Sequence, residues 1–268
     1  MKQYYYFVSS LKEIVLESGK IPVNPSEFAG EIVENVDVAD ALIIRDLKYH
    51  FDNFNVINIL NNVDEFSELG NISKKELSEH IKNPEQLPSY LQKFLEDVKY
   101  DERTHPELSL ENELAILYHD YLLVNNNKFL ADYVAFDHAV KNVSVAYNCR
   151  NFNYSAERSV LQLDDLSINL LVNKSPDFGL ANDYSWLTKV LEILGDKNLV
   201  RRETALVSLR FDFIDTEMIY DYFGFNRILG YYLKLFEMER LTRFDAQKGR
   251  EIFDKITDDL CNVSIEMD

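Results

Sequence analysis

One stretch, Asn127 to Phe152 (NKFLADYVAFDHAVKNVSVAYNCRNF), constrains the fold more than any other. Its apolar residues Phe129, Tyr133, Phe136, Val140, Val143 and Tyr147 recur in alternating steps of four and three. That period marks one buried face of an α-helix, too long and too regular for a strand. Asp137 and Lys141 stand four apart, so they can pair across one turn with the acid on the favourable N-terminal side. No proline interrupts the run.

Weaker echoes of this helix flank it. In Arg45 to Asn61 (RDLKYHFDNFNVINILN), Phe51-Asp52 corresponds to Phe136-Asp137, and Asn55-Val56 to Asn142-Val143. In Phe225 to Phe244 (FNRILGYYLKLFEMERLTRF), Arg240-Leu241 and Phe244 take the same places, with Tyr232 on the packing face. The spacings between the echoes are 87 and 98 residues, so the repeat is loose, and chance similarity between amphipathic helices is its rival. The expectation is an all-α, three-lobed helical body. It forms a single domain over 1–268, with quasi-repeats at about 1–100, 107–173 and 180–268. Phe51, Asp52, Asn55, Phe136, Asp137, Asn142, Tyr232 and Arg240 are its repeat-helix packing residues. The six prolines leave 107–175 and 177–268 almost unbroken, as helices require. Glycine, 8 of 268 residues, is scarce against an average near 7%, which leaves little material for phosphate-cradling loops.

The net charge of −18 argues against nucleic acid, whose phosphates call for Lys and Arg, and against direct contact with anionic lipid. The start, MKQYYYFVSSLKEI, lacks the charged, apolar and small-residue zones of a signal peptide. No apolar run approaches the roughly 20 residues that span a bilayer. Cys149 and Cys261 form no framework and read as reduced thiols. A cytoplasmic location follows as an expectation.

Taken in order, Tyr4 to Val8 reads as a short strand or, preferably, a tucked extended arm. Ser10 with Glu13 has capping-box spacing, for a helix that meets Gly19 and Pro22. Helices are expected from Pro25 to Val36, Asp37 to Asn61, Ser73 to before Pro84, and Pro88 to Tyr100. Asp101 to Glu107 reads as a boundary loop. Helices then run Leu108 to Val124, Lys128 to Arg150 and Ser155 to Val172, followed by a second boundary at Lys174 to Gly179. Asp183 is the expected cap of a helix ending at Leu194, with Gly195 as its stop. The last two helices are expected at Gly224 to Arg243 and Asp245 to Cys261.

Chemistry-bearing motifs are missing: no nucleotide-binding glycine loop, no nucleophile elbow, no H-E-x-x-H. No cofactor is expected. His119-Asp120 resembles the His-Asp dipeptide of a helical metal-phosphohydrolase family, with His80 and Asp132 or Asp137 as further ligands. The small residues that usually follow the dipeptide are absent, and the preferred reading is a surface or boundary histidine beside a solvated acid. Asp164-Asp165 and Asp258-Asp259 diverge by about 100° on a helix and read as solvated faces rather than acid–base pairs. The aromatics at Tyr4 to Phe7 and Tyr231-Tyr232 read as packing.

The blocks YHFDNFNVINIL, NKFLADYVAFDHAVKNVSVAYNCRNF and YYLKLFEMERLTRFDAQKGREIFDKI, with the opening YYYFVSSL, resemble an uncharacterised bacterial family that accompanies V-type ATPase subunits. That family resembles the C subunit of V-type ATPases, called d in eukaryotes. The C subunit is a three-lobed helical protein whose similar units each carry a D-x-x-N-like helix. Asp52-x-x-Asn55 fits the pattern; the second block has Asn142 but Ala139 in place of the Asp, and the third has Arg240 in place of the Asn. The resemblance implies a non-catalytic socket between the membrane rotor ring and the central shaft, held to the inner membrane through protein contacts. A helical adaptor for another partner is the alternative, and a metal-dependent phosphohydrolase a distant third.

Overall fold

The computed structural model describes residues 2–124 and 127–242, and among them there is helix but no strand. The helices are α1 (Tyr5–Ser9), α2 (Pro25–Asn35), α3 (Val38–Leu60), α4 (Lys74–His80), α5 (Ser89–Tyr100) and α6 (Leu110–Leu123). They continue with α7 (Lys128–Phe152), α8 (Asp165–Val172), α9 (Leu187–Leu194), α10 (Leu199–Glu217) and α11 (Phe225–Thr242).

Side chains set the helix starts. Asn24 accepts the Ser26 N–H at 2.8 Å, and Pro25 takes the first helical position of α2. Ser73 and Glu76 close the expected capping box of α4. Ser109, Asn127 and Asn198 cap α6, α7 and α10. The helix ends cope with the shortage of glycine. Asn62, Asp101 and Asn153, at or just past the ends of α3, α5 and α7, take positive φ of 56°, 58° and 56°. Asn and Asp enter that left-handed region at less cost than other side chains.

Six helices pack in a closed circuit: α2 on α3, α3 on α6, α6 on α7, α7 on α10, α10 on α11, and α11 back on α2. Outside it, α4 lies on α3, α5 on α6, and α8 and α9 on α7. The stripe on α7 behaves as expected. Phe129, Tyr133, Phe136, Val140 and Val143 are buried and Tyr147 is half-buried. Buried apolar residues form two large clusters, and α7 passes from one to the other. Its first turns (Phe129 to Val134) join α2, α3, α5, α6 and α11, and from Phe136 onward it joins α8, α9 and the first half of α10. Phe213 of α10 packs on both clusters and stacks on Phe136 with ring centroids 4.3 Å apart. The first cluster draws on all three sequence blocks, so the blocks share a core.

Four local expectations are corrected, and one helix is added. Tyr4 to Val8 is not extended: Tyr4 is pinned by its N–H to the Phe223 carbonyl (2.6 Å) and its hydroxyl to Asp40 (2.5 Å), and the chain coils directly after it as α1. Ser10 starts no helix, because its hydroxyl donates back to Phe7 to close α1, and only a 3₁₀ turn at Leu16–Ser18 follows. The helix expected from Ser155 forms only as α8. Asn142 holds the backbone of Leu161 away from helical partners, and Asp164 opens a new capping box with Ser167. That box also gives Asp164 a capping role beyond a solvated face. Asp183 does not cap α9, which begins at Leu187 after Trp186. Within 196–223, for which the sequence carries no assigned element, Leu199–Glu217 forms α10, whose apolar face carries an arginine at its centre. The helix expected at Asp245 to Cys261, and Asp258-Asp259 within it, lie outside the described residues.

Candidate functional site

The eight packing residues sit on three helices: Phe51, Asp52 and Asn55 on α3, Phe136, Asp137 and Asn142 on α7, Tyr232 and Arg240 on α11. On α3, Asp52, Asn55 and Asn58 are three apart, share one face and are all buried. They hold the backbone of the loop that follows. The Asn55 amide donates to the Ser67 carbonyl at 2.9 Å and accepts the Ser67 N–H at 2.7 Å. Asn58 donates to the Glu65 carbonyl at 3.0 Å. Asp52 accepts the Asn71 and Ile72 N–H groups at 2.9 and 3.1 Å and the Asn71 side-chain amide at 2.9 Å. Burial raises the pKa of Asp52, while the donors from Asn71 and Ile72 pull it down. Gly70 is required here, because a Cβ would overlap the Asp52 carboxylate.

On α7, Asn142 makes the same two-point clamp. Its amide donates to the Leu161 carbonyl at 2.8 Å and accepts the Leu161 N–H at 3.0 Å. Asn55 and Asn142 are therefore counterparts in geometry as well as in sequence. Each satisfies a donor and an acceptor of a loop that has no regular structure to do so.

The third position, Arg240, belongs to a different construction. Asp137 accepts from Arg210 Nε at 2.7 Å and pairs with Lys141 at 2.7 Å, the turn-to-turn pair expected from sequence. Arg210 Nε lies 3.6 Å from Glu237, which pairs with Arg240 at 3.0 Å; Arg240 reaches Glu203 at 3.1 Å. This chain of alternating charges ties α7, α10 and α11 together. Burial disfavours the charge on Asp137, but Lys141 and Arg210 outweigh it and hold its carboxyl well below the usual range. Burial likewise works against Arg210, and Asp137 and Glu237 outweigh it. Aromatic contacts complete the junction: Phe51 meets Phe236 at 5.4 Å, and Tyr232 meets Phe236 at 4.4 Å.

A family model described as a protein of unknown function, DUF2764, matches residues 1–264. The chain belongs to this family. No curated protein and no solved structure matches it.

The dipeptide His119-Asp120 is placed differently from expectation. His119 is buried, not a surface residue, because α6 is enclosed by α3, α5 and α7, and its ring meets His138 edge-on at 4.6 Å. Asp120 is exposed, 3.3 Å from His119 Nδ1. Of the further ligands expected, Asp132 is held by Lys128 and Asp137 by Arg210 and Lys141, while His80 ends α4 with its Nδ1 buried and without a hydrogen-bond partner among the described residues. Among the described residues no group of three or more His, Cys, Asp and Glu side chains is placed to hold a metal ion. None of the described helices is long and apolar enough to cross a membrane.

Arg210, Glu203, Glu237 and Asn58 are members of these networks that sequence reasoning missed. A signal existed for Arg210. In ALVSLRFDFI it falls on the Val207–Ile214 face, and an arginine on a buried face must be paired.

Proposed function

We propose that this chain is a non-catalytic central-stalk subunit of a V-type ATPase or ATP synthase, coupling the rotor shaft to the membrane ion-translocating ring. The observation that carries the reading is the repeated clamp. Asp52-x-x-Asn55, the motif that carries the resemblance to the V-type stalk protein, straps a loop to α3, and Asn142 straps the corresponding loop to α7. A part that passes torque must not deform under it. Buried polar straps and the Asp137–Arg210–Glu237 chain favour that role by fixing loops to helices and helices to one another. The polar groups of the candidate site are satisfied within the protein, so their role is mechanical. The analogy is at the level of fold and motif.

The test is binding of the purified chain to the rotor ring and to the shaft of the V-type ATPase from its own source, followed in real time. A chain at −18 meets a basic partner faster at low salt, so the on-rate falls several-fold as salt is raised. Absence of binding to either component sinks the stalk assignment, and co-purification with an unrelated complex favours the adaptor reading. Stoichiometric zinc, iron or manganese that survives dialysis and is lost on His119→Ala would overturn the non-catalytic assignment.

A further inference from the structure

The connection from Ser10 to Asn24, helix α2 and Tyr231 of α11 border a cavity of about 350 Å³. That volume lies at the small end of the roughly 300–1,000 Å³ common for small-molecule sites. Its apolar wall includes Leu11, Ile21 and Phe28, and the Phe28 and Tyr231 rings meet edge to face at 5.0 Å. Tyr231 is 9% exposed, and its hydroxyl is buried with no hydrogen-bond partner among the described residues. A buried hydroxyl left unpaired costs free energy that a hydrogen bond would recover. Burial and then the Glu31 carboxylate raise its pKa, so it remains a proton donor at neutral pH.

The rim carries charge that the described residues leave unpaired. Lys12, Glu27 and Glu31 line the cavity, are exposed, and make no ion pair among the described residues. Glu27 and Glu31 stand four apart on α2, so two like charges face each other across one turn, an arrangement that itself costs stability. The other polar groups of the lining are engaged: the Ser10 hydroxyl donates to the Phe7 carbonyl, and the Asn24 side-chain oxygen caps α2. An orphan donor, an uncompensated acidic pair and an unpaired ammonium therefore share one cavity.

We propose that this cavity binds a small zwitterion, an α-amino acid with a large apolar side chain. The chemistry of the lining selects it. Anions such as phosphate are repelled by the two carboxylates. A simple amine leaves Lys12 and the Tyr231 hydroxyl unanswered, and a neutral apolar molecule leaves all four polar groups unanswered. An amino acid answers each of them. Its ammonium lies between Glu27 and Glu31, its carboxylate accepts from Lys12 and from the Tyr231 hydroxyl, and its side chain packs on Leu11, Ile21 and Phe28. The proposal goes beyond the stalk reading and does not depend on it.

The test titrates L-phenylalanine into the full, isotopically labelled chain. Phenethylamine, which lacks the carboxylate, and 3-phenylpropanoate, which lacks the amine, are the controls. The expected result is saturable shifts at Lys12, Glu27, Phe28, Glu31 and Tyr231, with each control bound at least about tenfold more weakly, the loss of one charge-assisted hydrogen bond. Lys12→Gln weakens L-phenylalanine and leaves phenethylamine unchanged, whereas Glu31→Gln weakens both. Tyr231→Phe keeps the ring and removes only the hydroxyl. Its Tm is unchanged or higher, because no hydrogen bond of the free protein is lost, while L-phenylalanine binds at least about threefold more weakly. A lowered Tm in Tyr231→Phe shows that the hydroxyl already has a partner, such as a buried water, and overturns the proposal. So does unchanged affinity in that variant, phenethylamine binding as tightly as L-phenylalanine, or no saturable binding up to about 10 mM. None of these readouts involves the ring or the shaft, so the stalk reading stands or falls separately.

Discussion

Arg210 carries the heaviest single load in the junction of α7, α10 and α11, and Arg210→Met tests that. The arginine side chain is 4% exposed, and its partners Asp137 and Glu237 are 12% and 13% exposed. Methionine keeps much of the aliphatic stem, so lost packing contributes little. Removing one partner from a buried ion pair costs about 3–5 kcal/mol, because the charge left behind stays desolvated. Here the lower end applies. Asp137 retains Lys141 at 2.7 Å and Glu237 retains Arg240 at 3.0 Å, both partly solvated cations. About 3 kcal/mol in a chain of this size lowers Tm by roughly 6–12 °C. Urea unfolding at pH 7, read by helical circular dichroism, gives the free energy directly. A double-mutant cycle with Asp137→Asn isolates the pair: the second change costs at least about 1 kcal/mol less in the methionine background than in wild type. The pH dependence has a definite sign. Asp137 titrates below its unfolded value, so the stability it contributes is present above about pH 4 and lost as pH falls toward the folded pKa. The deficit of Arg210→Met is therefore constant from pH 5 to 8 and narrows below pH 4. A deficit under about 1 kcal/mol at pH 7, or one that widens in acid, refutes the reasoning.

His138, half-buried on α7 against His119, has its pKa lowered to about 3, first by burial and then by Lys141. Its folded pKa is depressed, so stability is full above the unfolded value near 6.5 and falls by about 2 kcal/mol between pH 7 and pH 5. His138→Gln flattens that slope in urea titrations; an unchanged slope in the variant assigns the loss elsewhere. Gly70→Ala drives a Cβ into the Asp52 carboxylate and displaces it from the Asn71 and Ile72 N–H groups, at a cost of about 1–3 kcal/mol. Gly30→Ala, in mid-α2 with nothing within 4 Å of the new methyl, stabilises by about 0.5–1 kcal/mol, and an equal response at the two glycines counts against the Asp52 strap.

Much of the helical layout was legible because its signals are local. The α7 stripe, the Ser73–Glu76 box and the Pro25 start each lie within a few residues of what they control. The errors fall where a distant group overrides the local pattern. Ser155 to Leu163 has no internal reason to avoid a helix; Asn142, 19 residues before Leu161, supplies one. Tyr4 leaves the expected arm because Phe223, on the far side of the sequence, accepts its N–H. α10 hides because Arg210 interrupts its apolar face, and the charge that satisfies it, Asp137, stands 73 residues away. Periodicity states that a face is buried but not against what, so the closed circuit from α2 to α11 has no signature in any single helix.

The polar residues of the candidate site divide along the same line. A buried asparagine can be satisfied by the nearest irregular backbone, and Asn55 and Asn142 each take the loop that follows their own helix, 12 and 19 residues on. A solution so close in sequence travels with the helix that carries it, which is why the echo at 87 residues in the sequence matches an echo in geometry. An arginine is satisfied by carboxylates rather than by backbone of both polarities, because it only donates. Arg240 therefore turns sideways to Glu203 of α10 and to Glu237 one turn back on its own helix. Among the described residues, the third block's tie runs to the neighbouring helix. Within the last block Arg240 extends the ion chain that Arg210 joins to Asp137 of the middle one.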